Sequence, residues 1–470
     1  MSAPAATVRF GRLERRGVLL GLSGPQLAAV GAAAAIAVTA EYAAGLPGIL
    51  AAALLWAPLL LAGTASLRGR SAMAWLPIVG DWWLRRAIGA TRHLHRVRQP
   101  HATSAGLRLE LPGIRTPLPV TTSASGAALV SESAAGTVTA VLAVRGRGVL
   151  LADDAAHTSA AWGRVLAGLT QSRDVARVQV LHATAPAGEC DVRRWWADHA
   201  TGAGSPLPAR LVADLLADAD AATTRITTLL AVAFRRGGAH DDVQPLLDTF
   251  ADTVAAAGLT VEGWIDPRRL CSQMRRAYDP TTRIPSGHAV AEQGTDRAGV
   301  WGPMGIEESW AHLRTDTALH ATYWIAEWPR AEVGVEFLQP LLLAPGAHRT
   351  VSLIAEPQAL GAAARDIRRA RVDLVADSAH RARTGRIEDE AARAEADDVA
   401  TRERDLVAGH GDLRFTGLVT VTAADEDALL EACRATQAAA ARAMCELRPL
   451  VGQQAAAHTA AALPLARGIL

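Results

Sequence analysis

Residues 314–330, RTDTALHATYWIAEWPR, carry two arginines, Asp316, His320, Tyr323, Glu327 and two tryptophans, more polar chemistry than any neighbouring stretch. A histidine flanked by carboxylates is the side-chain set of general acid–base catalysis, provided the groups converge on one substrate. From His320 the residues alternate. His320, Thr322, Trp324, Ala326 and Trp328 share one face and Ala321, Tyr323, Ile325 and Glu327 the other, the period of a strand that Pro329 ends. On a strand, His320 and Glu327 point to opposite faces and stand roughly 23 Å apart at ~3.3 Å per residue. The expectation is therefore structural. Arg314, Asp316 and Arg330 bracket the strand with ion pairs, Trp324 and Trp328 pack under helices, and the set forms a candidate docking element without catalytic residues.

The rest of the chain offers little competing chemistry. It has neither lysine nor asparagine, so all 48 basic residues are arginines. A nucleotide-cradling Walker loop, a Schiff-base enzyme and a Ser-Lys hydrolase each need an amine that is missing. No HExxH, GxSxG or zinc spacing occurs, and Gly146–Gly148 open no helix at the spacing of a dinucleotide site. No cofactor or metal is expected. Cys190, Cys271, Cys433 and Cys445 show no CxxC spacing and read as reduced, buried thiols. A net charge of +1 argues against a general nucleic-acid binder, and no direct sequence-specific nucleic-acid partner is expected.

What positions these residues begins with an apolar segment. From Val18 to Ala65 the only charged residue is Glu41. A bilayer core of ~30 Å takes ~20 apolar residues per helix, so 18–65 is expected to be a transmembrane hairpin turning at EYAAGLPG. The run is longer than a signal-peptide core and a second apolar run follows at once, which favours a permanent anchor. Arg9, Arg12, Arg15 and Arg16 precede it and seven arginines between 68 and 98 follow it, whereas the turn has none. The positive-inside rule then places both termini in the cytoplasm and the protein, multi-pass, in the inner membrane. Gly17, Gly21 and the small residues of 28–37 would let the helices approach closely. Trp75, Trp82 and Trp83, with Arg85 and Arg86, are candidate membrane-interface residues facing anionic lipid.

This divides the chain into a basic arm (1–17), the hairpin (18–65), a Trp-rich juxtamembrane segment and linker (66–110), and two parts of a soluble α+β region (111–300 and 301–470). The soluble part is expected to hold a mainly antiparallel sheet. Residues 136–151 read as two strands around an RGRG turn, HTSAAWGRVLAGLTQS as a helix and VARVQVLHAT as a strand. Residues 208–283 read as helical, with Gly258 as a C-terminal cap, and 281–299 as a surface loop. After the 320–328 strand come a short helix in VEFLQPLLL, a strand RTVSLIAEP and, over 358–408, a long charged helical pair bent near Gly385. A last strand (LRFTGLVTVTA), a helix opened by acidic residues and a terminal extension complete the chain.

The stretch from YWIAEWPR through RTVSLIAEP, the charged pair, DLRFTGLVTVTA and its helix resembles the non-ATPase N-terminal domain of the ATPases that drive type IV secretion and conjugation. GTVTAVLAVRGRGVLLADD resembles that domain's opening. With the apolar segment, the GPMG to WPR block and the LPLARG ending, the chain is similar to actinobacterial membrane proteins associated with conjugative elements. The resemblance spans roughly 130–465, and no motor domain is expected to follow it. It implies a catalytically silent, oligomeric membrane component that docks a secretion or conjugation ATPase and other membrane subunits. A core subunit of a type VII (ESX-like) machine is the alternative, and a membrane-tethered hydrolase using 316–327 is a second.

Overall fold

The computed structural model describes residues 7–8, 10, 24–67, 70–94, 107–146, 152–186, 210–212, 214–215, 224–236, 243–280, 302–344, 347–384 and 390–468. The chain divides into two compact units, Leu13–Arg92 and Met1–Arg12 with His93–Leu470. The first unit therefore takes in the juxtamembrane tryptophans as well as the apolar helices.

In the smaller unit, α1 (Gly24–Ala51) is the one helix long and apolar enough to cross a membrane; α2 (Ala53–Thr64) is shorter. Inside α1 the backbone leaves helical geometry at Gly45 (φ 63°), two residues before Pro47, whose ring removes a helical donor. Gln26 Nε2 donates to the Gly63 carbonyl at 3.0 Å, so the chain doubles back within the unit. Small residues make that approach possible: a Cβ on Gly63 would stand 2.7 Å from the Val30 side chain. Ala29 and Ala33, from the expected small-residue run, are buried, and Gly17 and Gly21 lie outside the described residues. Helix α3 (Ala72–Ala87) is capped by Ser71, whose side chain accepts from the Ala74 amide.

The larger unit is α+β, built on one fourteen-stranded antiparallel sheet. Its main strands are β1 (Leu118–Thr122), β2 (Ala128–Glu132), β3 (Thr137–Arg145), β4 (Val175–Pro186), β5 (Thr224–Arg235), β6 (Thr260–Trp264), β7 (Gly305–Glu308), β8 (Leu313–Arg314), β9 (Leu319–Glu327), β10 (His348–Pro357), β11 (Leu413–Ala423) and β12 (Glu446–Pro449). The helices are α4 (Ala152–Gln171), α5 (Gln244–Ala256), α6 (Pro267–Tyr278), α7 (Gln339–Leu342), α8 (Leu360–Thr384), α9 (Glu390–Val407), α10 (Glu426–Arg442) and α11 (Gln454–Ala462).

Strand pairing exposes an internal repeat. In the first half, β3-α4-β4-β5-α5-β6 gives the sheet order β6-β3-β5-β4; in the second, β9-α7-β10-β11-α10-β12 gives β12-β9-β11-β10. Each half is thus a βαββαβ unit of the split-βαβ, ferredoxin-like kind. The halves join edge to edge where β4 and β10 pair, from Arg349↔Thr184 to Ala355↔Val178. The likeness extends further, since each half opens with a hairpin strand against its first long strand and closes with a helix, α6 or α11.

Both connecting-helix sets lie on the same face. Val178, Leu230 and Val232 pack with Phe250 and Val254 of α5 in the first half, and Val351 and Val419 with Leu429 and Cys433 of α10 in the second. The opposite face is covered by α6, α11 and Leu463–Ala466, through clusters that include Leu270, Met274, Ala457 and Ala461. In the second half α7 is only 4 residues long, against 20 for α4. The space on that face is shared by Phe337, Leu342 and Phe10 of the N-terminal arm.

Three expectations are corrected, the first at Thr260–Trp264, a strand inside the stretch expected to be helical. Thr224–Arg235 is a central strand where a helix was expected; its run TRITTLLAVAF is apolar on both faces because both are covered, which removes the alternation that marks a half-exposed strand. The terminal extension contains α11, whose described residues are nearly all buried. Of the expected two strands in 136–151, β3 is present and 147–151 lie outside the described residues, as do the whole of the 281–299 loop, Gly385 and Cys190. The charged pair is present as α8 and α9, and Gly258 (φ +90°) follows the Ala257 cap of α5.

Candidate functional site

Strand β9 occupies the outer side of the second half, paired with β11 on one side and with β8 and β12 on the other. His320 is 0% exposed. Its Nε2 lies 2.9 Å from Thr315 Oγ1 and its Nδ1 2.8 Å from Thr422 Oγ1. Thr315 spends its single proton on the Tyr278 carbonyl at 2.6 Å, so the threonine oxygen accepts from His320 Nε2–H and His320 Nδ1 accepts from Thr422. The ring is held as one neutral tautomer by Thr315, just after β8, and Thr422 of β11, with the Tyr278 carbonyl of α6 3.3 Å from Nε2.

His320 and His458 are fully buried and His348 is half-buried. The register places His320, Thr422 and His348 in a row across β9, β11 and β10. His458 of α11 stands against His320 at 4.3 Å and Tyr278 at 5.0 Å between ring centroids. Burial pushes His320 well below the usual imidazole range, and the neighbouring His458 and His348 lower it further. Burial also lowers His348 to about 4 and His458 to about 3. Burial, with the rings' own proximity, explains why they stay uncharged together. Fully buried Gln454 and Gln179 continue this polar layer: Gln454 Oε1 accepts from the Thr322 amide at 2.9 Å, and Gln179 Nε2 donates to Ser352 Oγ at 2.7 Å and to the Leu463 carbonyl at 3.1 Å. These bonds tie α11 and the chain end to the seam between the halves.

The polar residues of 314–330 separate. Asp316 pairs with Arg275 at 2.7 Å and accepts from the Met304 and Gly305 amides at 3.0 and 2.8 Å. Arg330 pairs with Glu327 at 2.8 Å. Arg314 is exposed and makes no ion pair among the described residues, contrary to the expected bracket. Trp324 packs with α11 as expected. Trp328 does not share its face. The ladder with β12 shifts register between Ile325 and Glu327, and this irregularity sends Trp328 to the other side, with Ile325, Phe337 and Phe415.

His320 and Glu327 stay at opposite ends of β9. Near the Glu327 end lies an open cleft of ≈ 400 Å³ lined by Trp328, Arg330, Met444 and Glu446 among others. Cys445 also lines it, and burial lifts its thiol to about 11, above the range of a nucleophilic thiolate. Cys271, Cys433 and Cys445 are free and buried. Among the described residues, no group of three or more His, Cys, Asp or Glu converges to hold a metal ion.

A feature that sequence reasoning missed lies beside the cleft. Thr7 and Val8 form a short antiparallel ladder with Gly334 and Val333. Phe10 then stacks on Trp328 at 5.1 Å between centroids and meets Phe337 at 5.3 Å and Phe415 at 5.8 Å. A strand added to an edge and followed by an aromatic anchor is a peptide-docking geometry, used here by the chain on itself. TVRF contains no turn or pairing signal that points to residues more than 300 positions away.

In the smaller unit, Arg86 lies 5.1 Å from the Trp82 ring and Arg70 6.0 Å from that of Trp75. Arg85 pairs with Asp81 at 2.7 Å. Trp82 is buried and meets Trp83 edge-on at 5.4 Å, while Trp83 is 61% exposed.

Together these features define an α+β protein with a tandem split-βαβ core, a histidine-centred structural seam and an apolar N-terminal helix long enough to cross a membrane. Searches against protein-family models and against characterised proteins return no match.

Proposed function

We propose that this chain is a non-catalytic integral-membrane component of a bacterial type IV-like secretion or conjugative DNA-transfer machine, whose tandem domain docks a separate ATPase at the inner membrane. The observation that carries the membrane part is the placement of the arm. Thr7, Val8 and Phe10 pack into the same domain that the chain re-enters at His93, with the apolar helices between them in sequence. On this proposal both ends of the apolar segment would share one side of a bilayer, and it would cross an even number of times. The break at Gly45 supports two crossings, because it divides the apolar residues into 24–44 and 46–64, each close to the ~20 residues that a span takes. On this reading Trp83, Arg85 and Arg86 lie at the inner headgroup level, both termini are cytoplasmic, and Trp82 buries against its own unit.

The docking part rests on the resemblance in element order: a strand ending before Pro329, one helical turn, a strand ending in Pro357, the charged pair, then a strand and a helix. Fold-level likeness is an argument by analogy. His320 supports the non-catalytic assignment, since both its nitrogens are engaged inside a sealed layer. Affinity purification of the tagged full chain from detergent-solubilised native membranes tests the whole proposal. A co-purifying secretion ATPase is the expected result; repeated recovery without any ATPase or channel subunit would refute the docking role.

A further inference from the structure

Helix α8 sorts its charges by face. Ile367, Ala370 and Leu374 pack with Val399 and Leu406 of α9. At ~100° per residue, the direction opposite that contact is centred on Val372. Within ~60° of it stand Arg365, Arg368, Arg369 and Arg383 with Val375, Ala376 and Ala379, all exposed, and no carboxylate of the helix. The three aspartates, Asp366, Asp373 and Asp377, fall ~100–140° round from Val372, on a flank where Asp366 pairs with Arg402 of α9 at 3.1 Å. On the other flank Arg371 pairs with Glu403 at 2.9 Å. Four arginines and no acid give the outward face a formal +4.

That charge is not neutralised within the fold. Arg365, Arg368, Arg369 and Arg383 make no ion pair among the described residues, and Arg368 Nε donates to the Ala364 carbonyl one turn back at 3.3 Å. Like charges three and four positions apart on a helix repel, so an anion laid over the face relieves a cost that the bare helix carries. Between the arginine cluster and Arg383 the face is apolar: Val372 and Val375 are each 67% exposed, and Ala376 and Ala379 lie beside them. A nucleic-acid backbone would occupy the arginines and leave the valines without an apolar partner, whereas the boundary between lipid headgroups and acyl chains takes both. The same chain carries α1, long and apolar enough to cross a membrane, which gives it an affinity for bilayers that does not depend on α8.

We propose that the outward face of α8 docks on the anionic headgroups of a phospholipid bilayer, with its arginines on the phosphates and Val372 and Val375 at the edge of the acyl region. A guanidinium presents two N–H groups in a fork that matches two phosphate oxygens, which suits a face built from arginine alone. Each arginine at an anionic surface contributes about fivefold to binding, and the attraction falls away with salt, so the contact is reversible. It rests on the membrane part of the proposed function and on no ATPase.

The test uses the full chain with its four cysteines replaced by alanine and Ala379→Cys carrying an environment-sensitive fluorophore, placed in nanodiscs of neutral phosphatidylcholine alone or with about a third anionic phosphatidylglycerol. Anionic discs are expected to shift the emission to the blue and neutral discs to leave it unchanged, and ~0.5 M salt is expected to reverse the shift. Combining R365Q, R368Q and R369Q is expected to lower the docked-to-undocked ratio at least about tenfold, with helicity retained in far-ultraviolet circular dichroism. The same emission in both kinds of disc overturns the proposal, and so does a shift that the triple variant keeps. A shift caused by duplex DNA added to neutral discs, without one from anionic lipid, assigns the face to nucleic acid and overturns it as well. Retention on neutral discs in high salt reports membrane insertion separately. A chain washed off them contradicts the membrane reading, while its label still reports on anionic discs whether α8 docks.

Discussion

Phe10→Ala removes the anchor of the N-terminal arm. The ring sits against three aromatic rings within 5.1–5.8 Å, whereas the ladder beside it has only two residue pairs. Replacing a core phenylalanine by alanine costs ~3–5 kcal/mol, and a partly exposed one roughly 2–3 kcal/mol. At 1.4 kcal/mol per tenfold, the docked-to-undocked ratio of the arm falls by roughly 30- to 150-fold. So short a ladder adds little, since a two-stranded hairpin is itself marginal in water. The assay is hydrogen–deuterium exchange of the full chain in detergent, reading peptides that cover 7–10, 333–337 and 137–145. Phe10→Ala is expected to speed exchange in the first two by at least about an order of magnitude and to leave β3 unchanged. Equal acceleration in β3 would mean that the arm is part of the cooperative core, and no acceleration at all would mean that it is not docked.

The same reasoning makes three further predictions. His458→Gln removes a group whose folded pKa, about 3, is depressed below its unfolded value near 6.5. The unfolded state binds more protons between those values, so stability is complete above ~6.5 and lost as pH falls toward 3; the variant is expected to flatten the acid limb of a thermal-melting profile recorded from pH 7 to 4. Gly417→Ala places a Cβ 2.6 Å from the Trp328 ring and 2.7 Å from Ile325 Cδ1, and is expected to destabilise the domain by ~1–3 kcal/mol in denaturant titration. Arg349 is 1% exposed and bonded to Thr436 Oγ1 and the Leu341 carbonyl, with no carboxylate partner among the described residues; Arg349→Met is expected to leave the melting temperature unchanged or to raise it.

Local patterns were legible where one face of an element meets water or one residue type ends it. HATYWIAEW alternates and stops before a proline, and β9 ends at Glu327. DPRRLCSQMRRAYDP is helical from Pro267 under an Asp266 cap, as its flanks imply. Legibility failed where burial is two-sided: TRITTLLAVAF alternates nothing because helices cover one face and α6 with the chain end cover the other. It failed again for QQAAAHTAA, whose small residues look featureless in sequence yet allow α11 to sit closely on the sheet.

Long-range pairing was the least visible. The bulge that turns Trp328 over depends on the register with β12, a partner strand far from it in sequence. The repeat is hidden because α4 and α7 differ fivefold in length, and only the shared sheet order reveals it. In the candidate site, the histidine row depends on three strands and a helix far apart in sequence, so His320 was found as a residue and missed as a cluster.

The central claim is that residues 7–10 and the tandem domain share one side of a membrane that the intervening segment crosses twice. Cysteine accessibility in intact spheroplasts tests it most directly. In a chain whose four natural cysteines are replaced by alanine, Ala43→Cys next to the Gly45 break and Thr401→Cys on the exposed side of α9 are each challenged with a membrane-impermeant maleimide. The account predicts that Ala43→Cys labels from outside and that Thr401→Cys labels only after permeabilisation. Labelling of both residues from the same side would contradict it.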